Sequence, residues 1–314
     1  MRKEKLYLES EISELTRILS EIPEQNIIDR LSYEYRLQQL QEKLQNLPNT
    51  LPDTIILTFK GKPVHGIHGI HADFAGKMTE IISEAFAAFV EVAKGVTLGS
   101  GGAIPEFDKH KLLITGTAVG SFGFELELPK TESTSAQLSL LPQEDPIQKA
   151  RLMLENVIEK AFEGDDDQLA DSIESIDQRA LDKVNEFYET LCSENATFTL
   201  KTKDRQIICS NMDKVKYAVG RLKKENIIDD HVTLLGCFRG FLPDRRDFEF
   251  RTEDGENLKG KVDKSVKSSE EINTCWLNKP VTVSFHTRKV GNGRPRYTLL
   301  SINDITSLSE NSNG

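Results

Sequence analysis

Five short runs of alternating or β-branched side chains lie between His231 and Ile305, and they constrain the fold more than any other stretch of the chain. The first, HVTLLGCFRGFL, is long and is interrupted by Gly236 and Gly240, the usual signature of a bulge where one strand bends to serve two sheets. In the second, RDFEFRT, Phe248 and Phe250 fall on one face and charges on the other, the two-residue period of a half-buried strand. A turn at Asp254-Gly255 leads to NLKGKV. SSEEINTCWLN follows, with a Ser cap signal, early acids and Ile272 and Trp276 four apart, which predicts one short helix. PVTVSFHTRKV and RYTLLSI, joined by Gly291-Asn292-Gly293, complete the set.

The order strand, strand, strand, helix, strand, strand, with a coiled first strand, resembles the OB-fold barrel. That resemblance implies a ligand face on the barrel and ligand contacts in its first and last hairpin loops. Basic and aromatic residues gather at both loops: Arg239, Phe241, Arg245, Arg246 and Phe248 at the first, and Arg288, Lys289, Arg294, Arg296 and Tyr297 at the last. Cations that neutralise phosphate beside rings that stack bases are what single-strand binding needs. Arg239, Arg245, Arg246, Arg288, Lys289, Arg294, Arg296 and Tyr297 are therefore the expected nucleic-acid contacts. Phe248 also fits a core position.

The rest of the chain reads as α+β. Residues 3–47 place Leu8, Ile12, Leu15, Leu19 and Ile22, then Leu37, Leu40, Leu44 and Leu47, at alternating steps of four and three, broken at Pro23. This is an a/d seam, so residues 1–48 form a helical hairpin or coiled-coil arm, able to pair two copies. Residues 54–128 read as an α+β unit. In it a strand from Thr54 precedes an amphipathic helix through Phe74, Met78, Ile81, Ile82, Phe86, Phe89 and Val90, capped by Asp73 and ended by Gly95, and two short strands follow. Residues 129–144, rich in Pro, Ser, Thr and acids, read as a flexible linker. Residues 145–228 read as helices around a hairpin turning at Lys203-Asp204, residues 231–305 as the OB-like barrel and 306–314 as a disordered tail.

The linker holds QLSLL, Gln137 to Leu141, which resembles the peptide that bacterial proteins dock into the hydrophobic pocket of the DNA sliding clamp, with Leu141 where an aromatic is usual. Gln137, Leu138, Leu140 and Leu141 are the partner-binding residues this implies; the alternative is that the leucines pin the linker to the body.

Length suits two or three domains. The net charge of −10 argues against a general nucleic-acid coat, yet residues 231–305 hold 13 Lys and Arg against 10 Asp and Glu. No apolar run approaches the roughly 20 residues of a membrane helix, and the charged N-terminus is no signal peptide, so a cytoplasmic protein that avoids membranes is expected. The four cysteines show neither a zinc spacing nor a disulfide framework. His65, His68 and His71 with Asp73 suit a metal by type, but steps of three do not bring three rings to one helix face, and no metal or other cofactor is expected. The glycine-rich pieces at 99–105 and 116–124 lack the Walker lysine and hydroxyl, and Ser100 and Ser121 sit in no nucleophile elbow. The expectation is a non-enzymatic DNA- or RNA-associated subunit of a larger bacterial assembly. The rivals are a protein-protein scaffold without nucleic acid and a hydrolase centred on the middle domain.

Overall fold

The computed structural model describes residues 2–23, 26–46, 53–99, 101–118, 122–130 and 145–308. The chain divides into two units, residues 1–53 and 54–314. In the first, α1 (Arg2–Glu21) and α2 (Ile27–Asn46) form a hairpin broken at Pro23. Leu8, Leu15 and Leu40 are buried between the helices with Ile12, Tyr33, Leu37 and Leu44 against them, and Arg36 pairs with Glu11 across the hairpin. The seam is thus satisfied within one arm. A second set on α2, Ile27, Ile28, Leu31 and Tyr35, remains exposed.

The second unit opens with β1 (Thr54–Gly61), the small hairpin β2 (Val64–His65) and β3 (Gly69–Ile70), and α3 (Ala72–Lys94). The helix begins after His71, whose N–H donates to Pro63 O at 2.9 Å, so His71 rather than Asp73 occupies the N-cap. Asp73 lies inside the first turn and accepts from Phe74 N at 2.8 Å, still a favourable place for a carboxylate. Gly95 ends the helix at φ 83°, the left-handed conformation glycine adopts without strain. After α4 (Phe107–His110) come β4 (Leu113–Thr117) and β5 (Phe122–Glu127). The chain continues through α5 (Pro146–Phe162), α6 (Asp166–Ile173), α7 (Gln178–Ser193), β6 (Ala196–Lys201), β7 (Gln206–Cys209) and α8 (Met212–Leu222). Asp145, Asp165 and Asn211 cap α5, α6 and α8 through their side chains.

One antiparallel sheet in the order β4-β5-β1-β6-β7 joins strands from both halves of this stretch, with Phe59 facing Phe198. Its alternation decides which face is covered: Ile55, Leu57, Phe59, Phe198 and Leu200 point into one core with the apolar sides of α3, α5, α7 and α8. The α+β stretch at 54–128 and the helical stretch at 145–228 therefore share a single core.

The C-terminal strands are β8 (Ile227–Leu242), β9 (Asp247–Thr252), β10 (Asn257–Val262), β11 (Val281–Val290), β12 (Arg296–Leu299) and β13 (Ile305–Ser307). They close as β8-β9-β10-β12-β11 and back to β8, with β10 and β12 parallel and the other pairs antiparallel. This five-stranded closed barrel is compatible with the OB-like order. The bulge falls at Arg239, between the pairs Phe238–Phe250 and Gly240–Glu249. At Gly236 a side chain would strike Arg251 O and the Phe250 ring, which explains that glycine as a close-approach position. Phe238, Phe248, Phe250 and Phe285 fill the barrel, with ring centroids 5.1–5.6 Å apart where Phe238 and Phe285 meet Phe248 and Phe250. Between β10 and β11, the expected helix is only a π-helical turn, Ile272–Trp276, with Ile272 buried.

β8 and β11 run on beyond the barrel. Their last pair, Ile227 with Val290, is buried in the core of the other sheet. The barrel is thereby fixed to the helical layer. Among the described residues no helix is long and apolar enough to cross a membrane.

Candidate functional site

The face of the barrel formed by β9, β10 and β12 carries an open groove of about 1190 Å³. Both hairpin loops reach it: Leu242 and Arg245 from the β8–β9 turn, and Arg294, Pro295, Arg296 and Tyr297 from the β11–β12 turn. The loops an OB-like barrel uses for ligands are thus gathered at one surface. Arg239, Arg246, Arg288 and Lys289 are not part of its lining.

The cations around the groove are largely engaged by the chain itself. Arg288 is buried; its guanidinium pairs with Asp229 at 2.7 and 2.9 Å, and its Nη1 donates to Ile173 O at 2.9 Å and Ile176 O at 2.5 Å. Arg246, held at φ 57°, donates to Val262 O, Asp263 O and Val266 O at 3.0, 2.5 and 2.8 Å, fastening the end of β10. Arg296 bridges Asp171 at 2.5 Å and Asp167 at 3.3 Å. Lys261 pairs with Glu174 at 3.0 Å and Lys259 lies 3.7 Å from Glu249. Arg239, Arg245 and Arg294 are exposed, and among the described residues their guanidinium groups make no ion pair within 4 Å.

The partner of this basic set is the acidic run that opens α6. Asp165 caps the helix by accepting from Gln168 N at 2.8 Å. Asp166 accepts from Asn292 N at 3.3 Å and from Arg221 Nε at 3.0 Å. Asp167 accepts from Arg294 N at 2.7 Å, and that hydrogen bond, with Arg296 nearby, holds its carboxyl below the usual range. The glycine-rich last hairpin is therefore a docking loop seated on a helix N-terminus, where carboxylates and backbone N–H groups both find partners. Read from sequence, DDDQLAD looks like a set of caps and a solvated face; that three of its acids meet a hairpin more than a hundred residues away is a tertiary fact with no local signal.

Electrostatically the groove is mixed. Its lining holds five cations, Arg245, Lys259, Lys261, Arg294 and Arg296, and six carboxylates, three of them, Asp167, Asp171 and Glu174, from α6 and the residue after it. Its aromatic content is also mostly internal. Phe248 is 1% and Phe241 4% exposed, whereas Tyr297 is half-buried, its ring packed edge-on to Phe285.

A second cluster lies where α3 ends and α4 begins. Lys94 Nζ is 2.8 Å from Glu91 Oε1, 2.8 Å from Glu106 Oε2 and 2.7 Å from His110 Nε2, so its three N–H donors meet three acceptors. Burial, then the Lys94 ammonium, draws the His110 imidazole below its ordinary value, which keeps Nε2 able to accept. Glu106 is pulled down to about 2 by Lys109 and Lys94. Two carboxylates and an imidazole this close could hold a divalent ion. Here the ammonium already sits among them. The neighbouring glycine-rich loop is tied down by Arg179, which donates to Gly101 O and Gly102 O, and these carbonyls offer no phosphate cradle.

Of the histidine set, the β2–β3 hairpin brings together His65 and His71, with Nε2 atoms 2.9 Å apart. His68 and Asp73 do not join them closely enough to make a three-ligand group. QLSLL, Ser100 and Ser121 lie outside the described residues. Comparison with protein-family models, with curated proteins and with solved structures gives no match to this chain.

Proposed function

We propose that this chain is a non-enzymatic binding subunit of a larger assembly, and that the groove of its OB-like barrel takes an extended polypeptide segment. The observation that carries this reading is the charge of the groove: Asp247 and Glu249 on β9 face Lys261 and Lys259 on β10, and of the three arginines in the lining Arg296 is held by Asp167 and Asp171 of α6. A polyphosphate chain meets six carboxylates against five cations there and gains little counterion release. A peptide of mixed charge meets complementary partners along the strands, with exposed Leu242 as an apolar anchor at the groove's end.

A second reading, single-stranded nucleic acid, is favoured by Arg245, Arg294 and Tyr297, two exposed cations and an accessible ring on the same groove. Partner docking through Gln137 to Leu141, including onto a sliding clamp, and self-association through the N-terminal arm are further parts of the proposal. They rest on the sequence pattern and on the apolar side chains of α2 left exposed.

The test is site-directed photo-crosslinking in the full chain, in its own cell, with the reactive side chain at Leu242 or Lys259 and a control at Lys201. The expected result is an adduct from the two groove positions only, sensitive to protease and resistant to nuclease. A nuclease-sensitive adduct supports the second reading, and equal adducts from Lys201 overturn the groove as a site.

A further inference from the structure

The sequence run HGIHGIH spaces three imidazoles so that no helix would align them. The chain instead folds back on itself, with Val64 facing Ile70 and His65 facing Gly69. His68 N donates to His65 O at 3.0 Å, and Gly66 takes φ 58°, a left-handed turn position open to glycine. His71 is fixed from both sides, its N–H on Pro63 O at 2.9 Å and its carbonyl accepting from Ala75 N of α3 at 2.9 Å. The two histidines that flank the turn are therefore held by backbone hydrogen bonds, and their rings meet above it with centroids 5.0 Å apart. Both side chains are exposed.

Their Nε2 atoms are 2.9 Å apart. With metal–nitrogen bonds of about 2.0–2.1 Å, that separation subtends an angle of about 90° at a shared ion. A tetrahedral ion would want the nitrogens about 3.3 Å apart, whereas about 90° is the angle between neighbouring ligands in the tetragonal geometry of Cu(II) and Ni(II). Without an ion, the same contact is one N–H···N hydrogen bond between neutral rings. Taking up an ion requires that the shared hydrogen move to Nδ1 of its own ring and that the two exposed rings tilt until both Nε2 lone pairs face the metal; no oxidant or other reactant is needed.

We propose that His65 and His71 form a two-imidazole site for a tetragonal divalent ion, Cu(II) or Ni(II), on the hairpin that leads into α3. Among the described residues no third His, Cys, Asp or Glu side chain completes a closed ligand set with them. The remaining coordination positions face solvent, which suits an exchangeable ion or one shared with a ligand from outside the chain. Bound metal would staple the β2–β3 hairpin to the start of α3.

The experiment is calorimetric titration of the full chain with Cu(II), paired with electron paramagnetic resonance of the complex. One site per chain is expected, with nitrogen hyperfine structure from two imidazoles. His65→Ala and His71→Ala should each weaken it by at least about tenfold, the loss that disturbing an outer-shell partner alone can produce. His68→Ala, in the same turn, and His231→Ala, one of the other close histidine pair, should leave it intact. Because both rings are exposed, thermal unfolding of the apo variants should match the parent, which separates loss of the site from loss of the fold. Unchanged binding in His65→Ala and His71→Ala overturns the assignment, and so does equal weakening by His68→Ala.

Discussion

Replacing Arg288 by alanine removes the donor that ties the barrel to the helical layer, although the same arginine, read in sequence, looks like a phosphate contact. In the folded chain its side chain is about nine-tenths buried, and Nη1 serves Ile173 O and Ile176 O at the end of α6. Truncation leaves Ile176 O without this donor and Ile173 O with only its bond from Ile176 N, and an unsatisfied buried polar group costs about 1–3 kcal/mol. Asp229 loses its fork as well, but it is 35% exposed, so water and salt screen that loss and it adds little. A total of about 3 kcal/mol follows. At about 2–4 °C per kcal/mol for a body of this size, the melting temperature should fall by about 6–12 °C. Arg288→Lys should fall between, because a lysine ammonium cannot reproduce the planar fork. Differential scanning calorimetry of the full chain reads the shift, with Arg239→Ala, an exposed arginine, as the control expected within about 0.5 kcal/mol of the parent. A melting temperature for Arg288→Ala indistinguishable from that of the control would refute the structural role of this arginine.

Other expectations follow from the same geometry. Arg246→Ala should destabilise by about 2–3 kcal/mol in urea titration, because Val262 O, Asp263 O and Val266 O each lose the guanidinium donor, Asp263 O keeping its bond from Val266 N; a change below about 0.5 kcal/mol contradicts this. His110 is held below its ordinary value by burial and then by Lys94, so the folded chain takes up its proton less readily than the unfolded one. Its contribution to stability is complete above about pH 6.5 and is lost as pH falls below that value. Burial shifts His286 the same way, so His110→Gln should flatten the fall in urea midpoint between about pH 7 and pH 5.5 without abolishing it, and an unaltered slope counts against this. Leu138→Ala with Leu141→Ala should leave the melting temperature unchanged while removing partner capture, and earlier unfolding would place those leucines in the core. Deleting residues 1–48 should lower the mass measured by light scattering if the exposed side chains of α2 pair two copies, and an unchanged mass shows that they do not.

Much of the fold was legible because it rests on local signals. The a/d seam with Pro23 marks the helical hairpin, and the strip from Phe74 to Val90 marks α3. Gly236 and Gly240 bracket the bulged residue of β8. Three features were not legible, each for a physical reason. Strand pairing between β1 and β6 joins residues far apart in sequence, so the shared core of the two middle stretches has no local trace. The Ile272–Trp276 segment carries helix signals, yet it makes one π-helical turn and then becomes extended at Leu277, which bridges to Phe238 of β8, a pairing with no local signal. The loop arginines show the same charge whether they face a ligand or an internal carboxylate; Arg296 meets Asp167 and Asp171, while Arg294 stays exposed two residues away. Composition gathers such cations at a loop, and tertiary placement decides which of them a ligand can use.

The most direct measurement is fluorescence anisotropy of a labelled single-stranded oligonucleotide titrated with the full chain at about 50 mM salt and above, where screening of exposed charges is weakest at the start. Because Arg245 and Arg294 are the groove-lining cations that make no ion pair among the described residues, any binding should be weak, with a slope of log affinity against log salt no steeper than about −1.4, two contacts at about −0.7 each. Saturable binding with a slope of about −3 or steeper, lost in the Arg245→Ala, Arg294→Ala double variant, would contradict a groove built for polypeptide.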